Sequence, residues 1–136
     1  MNVTTIPFVQ TVGIEQNPEG RLTLPFKQTV HNHLQTMHAS AQFTLAETAS
    51  GELLQIMFPE LVGKVVPLLR SSEIKFKKPT TKDVCAYASI SEDDRLAFHE
   101  QFNKKNRAVI SVDVSLKDSD DVTTCTATFS WYVQGI

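Results

Sequence analysis

The stretch His31–Gly51 (HNHLQTMHASAQFTLAETASG) holds the residues of this chain best placed for chemistry. A polar turn leads directly into a helix of small residues with one acid, Glu47, in its middle. Its neighbours Phe43, Leu45, Ala46, Ala49 and Leu53 are apolar. A carboxylate among such residues is costly to bury, so a buried Glu47 points to chemistry rather than to stability. The start of the same helix, at Ala39 or Ser40, presents backbone N–H groups without helical partners and a dipole that favours negative charge. Such an N–H can hold an oxyanion, although Ser40 can equally serve as the N-cap. Glu47 follows Ala39 by two turns, roughly 12 Å at the helical rise. One chain does not readily bring both groups to a single reacting atom. His31, His33 and His38 cluster in sequence, but no acid or cysteine completes a metal-ligand spacing, and no metal site is expected.

The elements that must position these residues follow from hydrophobic period. From Ala39 to about Met57, Phe43, Ala46, Ala49, Leu53 and Met57 recur at helical steps. Leu45, Leu54 and Ile56 widen the apolar surface, which predicts a helix covered on most sides. Pro59 stops it. Before it, Gln10–Gln16 and Arg21–Leu24 read as short strands around the turn Asn17-Pro18-Glu19-Gly20. After it, period-two alternation marks strands with one buried face. The runs are Ser72–Phe76, Val84–Ile90, Ala108–Leu116 and Val122–Val133, the last two joined by a turn at 117–121. Glu92–Lys105 reads as a short amphipathic helix with Leu96, Phe98 and Phe102 as its contacts and His99 at its surface. The sum is α+β: a mostly antiparallel sheet with one central and one accessory helix.

Composition narrows the class. The 136 residues fit one domain, 1–136, with 41% hydrophobic and 21% charged residues. A net charge of −2 supplies no general field for nucleic acid. The first sixteen residues have neither a basic n-region nor a long apolar run, so neither a signal peptide nor a membrane anchor is expected. Cys85 and Cys125 fall in strand-like runs and read as free buried thiols of a cytoplasmic protein.

Strands wrapped around one long small-residue helix resemble the hotdog fold. The motif goes further and resembles the acyl-CoA thioesterases of the phenylacetate-pathway (PaaI-like) type. These carry an Asn, a His six positions on, two small residues opening the helix, and then Leu-Ala-acid. Asn32, His38, Ala39-Ser40 and Leu45-Ala46-Glu47 stand at those places here. Four positions depart from the pattern: Gln35, Ala39 and Ser40 replace glycines, and Glu47 replaces the Asp common in that branch. The resemblance implies thioester hydrolysis in a homodimer or homotetramer whose site lies between subunits, with a CoA thioester as substrate and no resident cofactor. Asn32 and the Ala39 or Ser40 N–H would come from one chain and Glu47, as general base or nucleophile, from the other. Asn32 would position water or thioester, and His38 would shape the turn or bond substrate or backbone.

Lys75, Lys77 and Lys78, with Lys82, form a basic cluster suited to the phosphates of coenzyme A. Arg70, Arg107, Lys104 and Lys105 are weaker candidates, and Ser71 or Ser72 can add a hydroxyl. Two other readings stay open. A non-catalytic acyl-CoA binding or sensing module fits the lost glycines. A β-hydroxyacyl thioester dehydratase would oppose His33 to Glu47.

Overall fold

A computed structural model describes residues 1–136. Strand β5 (Arg107–Asp118) shows how the sequence builds the sheet. Ala108, Ile110, Val112, Val114 and Leu116 are all buried, and the residues between them face outward. Strand β6 (Thr123–Gly135) pairs antiparallel with it, so Ile110 lies opposite Trp131 and Val112 opposite Phe129. These branched and aromatic pairs make the centre of the core. Strands β1 (Glu15–Gln16), β2 (Leu22–Leu24), β3 (Val65–Phe76) and β4 (Val84–Ser89) complete one antiparallel sheet in the order β1-β2-β4-β5-β6-β3.

The long helix, α2 (Ala39–Met57), lies in the curl of this sheet, as the hotdog fold requires. Ala41, Leu45, Ala46 and Ala49 are buried where the helix packs on the sheet, and the small size of the three alanines lets helix and sheet approach closely. Phe43 meets Phe129 edge to face, with ring centroids 5.6 Å apart. Both the sheet and the helix match the expected α+β architecture. No helix is long and apolar enough to cross a membrane.

Three expectations are corrected. Gln10–Val12 is not strand but the end of helix α1 (Pro7–Val12), because Pro7 opens a helix and Gly13, at φ 97°, closes it. The strand read from Ser72 begins seven residues earlier, at Val65, and runs through Pro67. Its alternation is not expressed as burial, because β3 is an edge strand paired only with β6. Proline is tolerated there since the edge leaves backbone N–H groups unpaired. Helix α3 (Glu92–Lys105) has the predicted bounds, but Leu96 is exposed and Phe98 alone is fully buried. His99 is half-buried, edge-on to Phe58.

Candidate active site

Residues 31–38 fold into a tight turn whose ends are tied by a bridge between His31 and Met37. Asn32 organises it from within. Its Oδ1 accepts the N–H groups of Leu34 (2.8 Å) and Thr36 (3.1 Å), and its Nδ2 donates to Thr36 Oγ1 (2.8 Å). Gln35 sits at φ 58°, the left-handed region that favours glycine. The Met37 N–H donates to the Thr80 carbonyl at 2.9 Å, which places the segment after β3 against the helix entry.

His38, not Ser40, is the N-cap of α2. Its Nδ1 accepts the Ser40 N–H at 2.9 Å. The Ala41 and Gln42 N–H groups donate to the His38 carbonyl. The Ala39 N–H has no acceptor in the chain. Of the two oxyanion donors expected at the helix start, Ala39 is therefore open and Ser40 is occupied. His38, Ala39 and Ser40 are all exposed.

Glu47 is half-buried between Ala46 and Thr48, with no hydrogen bond or ion pair to its carboxylate. Burial pushes its carboxyl above the ordinary glutamate range, with no neighbouring charge contributing. It faces a cavity of about 550 Å³, within the range of small-molecule sites. The cavity runs between α2, the N-terminal arm, β3 and Trp131. The arm and Trp131 are contributors the sequence reading missed. Trp131 carried only the alternating signal of a core strand. Its role follows from Ser50, whose Oγ accepts the indole N–H at 2.9 Å and donates to the Glu47 carbonyl at 2.7 Å.

The remaining candidates are dispersed. Lys75 lies opposite Thr126, one residue before the end of β3, while the Lys77 and Lys78 backbones donate to the Thr124 carbonyl; all three side chains are exposed. They stand at the Thr80 end, near the helix entry and away from the cavity rim at Val65 and Pro67. Lys82 pairs with Asp120, and Lys104 with Glu100. Arg70 lies 3.9 Å over the Tyr132 ring. Ser71 and Ser72 are exposed on β3. His33 is exposed in the turn and His31 stacks on Phe26. No group of three His, Cys, Asp or Glu side chains converges as a metal site would.

Solved structures of the same fold set this geometry in context. One is a protein of unknown function from Pseudomonas aeruginosa, described as a probable thioesterase. It superposes with a TM-score of 0.83 at 22% identity, over 98% of this chain and 91% of that one. A Bacillus halodurans protein solved with CoA gives a TM-score of 0.69 at 24% identity, over 90% of this chain and 72% of its own. A Haemophilus influenzae thioesterase gives 0.76 at 14% identity, over 98% and 86%. At these identities the likeness is one of fold. No curated protein matches the sequence. The sequence itself matches one family across residues 1–133, and the chain therefore belongs to the family described as "Domain of unknown function (DUF4442)".

Proposed function

We propose that this protein is an acyl-CoA thioesterase of the phenylacetate-pathway type, working as a homodimer or a dimer of dimers with its site shared between subunits. The observation that carries this reading is Glu47: an unpaired, half-buried carboxylate at an apolar cavity, on a helix whose only open N-terminal N–H is eight residues away. Glu47 takes a proton from water, and the hydroxide attacks the thioester carbonyl carbon. The Ala39 N–H of the other subunit holds the resulting oxyanion. The C–S bond then breaks and the proton passes from Glu47 to the leaving thiolate, giving a carboxylic acid and free coenzyme A. Attack by the Glu47 carboxylate itself, with water cleaving the anhydride, gives the same products.

Asn32 and His38 act as positioning residues in this scheme. Asn32 fixes the turn and His38 fixes the helix start, and together they aim the Ala39 N–H. Lys75, Lys77 and Lys78 take the phosphates of coenzyme A. The exposed edge of β3, with Val66 and Leu68 about half exposed, supports pairing with a second copy.

The test is thiol release from a panel of acyl-CoAs by wild type and Glu47→Gln, both checked for folding and oligomeric state. The reading predicts turnover that falls by about 10²–10⁴ in the variant. Undiminished turnover in Glu47→Gln would contradict it. Capture of the Ser40 N–H by His38 leaves one oxyanion donor, which favours a second reading, a non-catalytic acyl-CoA binding module. Binding of acyl-CoA without turnover would select it.

A further inference from the structure

The cavity beside Glu47 follows the central helix for much of its length. Its floor is a stripe of residues on successive turns of α2, from Thr44 past Gly51 and Leu54 to the C-cap Phe58. Fourteen residues separate the ends, about 21 Å along the helix. The Thr44 and Thr48 hydroxyls are turned away into hydrogen bonds with the Ser40 and Thr44 carbonyls, at 2.9 and 2.6 Å. Glu47 is the one ionisable side chain of the wall; Gln55 also lines it, and its Oε1 accepts from the Met1 ammonium at 2.9 Å. Beyond it the trough passes Gly51, where an added Cβ would stand 3.4 Å from the Trp131 ring. It ends on the buried rings of Phe58 and Phe98, whose centroids are 4.5 Å apart. Val3 and Val9 of the N-terminal arm, both buried, hold its roof.

We infer that this trough receives the acyl chain, and that the substrates are straight-chain, medium- to long-chain aliphatic thioesters with the carbonyl at Glu47. This rests on the thioesterase reading for the role of Glu47. An unsubstituted alkyl chain is the guest that a long, mostly apolar wall can satisfy. A hydroxylated chain would find no polar partner where the trough ends on Phe58 and Phe98, and a phenylacetyl group would leave most of it unfilled. Each methylene that reaches apolar wall strengthens binding about fourfold. The Phe58–Phe98 pair sets the upper limit of length.

The experiment pairs chain-length kinetics with a binding signal independent of turnover. Trp131 is the only tryptophan of the chain, so its emission reports occupancy. Wild type, Leu54→Phe and Leu61→Phe are measured with butyryl-, lauroyl- and phenylacetyl-CoA, and Trp131 emission is titrated with each. Leu61 is only half-buried, so one narrowing variant remains informative if Leu54→Phe fails to fold. The inference predicts kcat/KM at least about 100-fold higher for lauroyl- than butyryl-CoA, saturable quenching or shift of Trp131 by lauroyl-CoA, and a lauroyl-to-butyryl ratio at least tenfold lower in a narrowed variant. Turnover that favours phenylacetyl- or butyryl-CoA, with Trp131 silent to lauroyl-CoA, would overturn the trough and leave the thioesterase reading standing. A Trp131 titration weakened by narrowing, without turnover of any thioester, would remove the thioesterase reading and keep the trough. Neither turnover nor titration would overturn both.

Discussion

The indole N–H of Trp131 donates to Ser50 Oγ at 2.9 Å, across the interface between β6 and the central helix. Ser50 passes the contact to the Glu47 carbonyl at 2.7 Å. The turn of helix that carries the candidate catalytic acid is thereby fixed to the sheet. Both partners are buried, Ser50 completely, so neither can turn to water instead.

Ser50→Ala leaves the indole N–H unpaired in the core. The expected loss is about 1–3 kcal/mol of unfolding free energy, measured by urea denaturation. Trp131→Phe removes the same donor, so the double variant should fall short of the sum of the two losses. Strict additivity would mean that the bond contributes nothing.

His38 is assigned to capping rather than to proton transfer. His38→Ala should lower stability by about 1 kcal/mol. His38→Asn, which also accepts an N–H, should restore most of it and keep kcat within a few-fold of wild type. Full stability with kcat lost by orders of magnitude in His38→Asn would instead put the imidazole in the reaction.

Burial raises the Glu47 carboxyl above the ordinary glutamate range. As a base it acts when deprotonated, so kcat/KM should fall as pH drops through that raised value. The acid limb should therefore lie above that of an exposed glutamate. The stability effect has the matching sign. A carboxyl whose pKa is higher in the folded state contributes stability below its unfolded value and loses it as pH rises through the folded one. Glu47→Gln should therefore raise Tm at pH 7.5, and thermal melts should show the gain shrinking toward pH 4.

The two thiols should differ in reactivity. Burial pushes Cys125 up to about 11, so at pH 8 only about one part in a thousand is thiolate. Cys85 is half-buried. An aromatic disulfide reagent at pH 8 should modify Cys85 in the native protein and Cys125 only after denaturation, as read by peptide mass.

The central strands were legible because each presents a single buried face, and the helix because its apolar residues recur at helical steps and wrap most of its surface. Ala108 through Leu116 alternate without a break, and Ala39 to Met57 keeps its small-residue period to both ends. Strand β3 was not legible in full. At the sheet edge its side chains are scarcely buried in either phase, so burial left no alternation to read. In the site, Gln35 shows a similar limit. The family motif often has glycine there, and the chain keeps the left-handed φ of 58° with a glutamine. The Trp131–Ser50 bond and the trough beside Glu47 join elements about eighty residues apart, a pairing that no local spacing encodes.

Whether Ala39 and Glu47 of different subunits share one site, as proposed, can be measured directly. Ala39→Pro deletes the open N–H at a position where helices accept proline, after a residue already in extended conformation, His38 at ψ 137°. It should fold normally and lower kcat by about 10²–10³, while Glu47→Gln is inactive for its own reason. The decisive experiment unfolds and refolds the two variants together at equal concentration and assays thioester hydrolysis. A shared site predicts recovery to about a quarter of wild-type turnover, because half the dimers are mixed and each holds one intact site. Activity of the mixture no higher than the average of the two variants alone would contradict it.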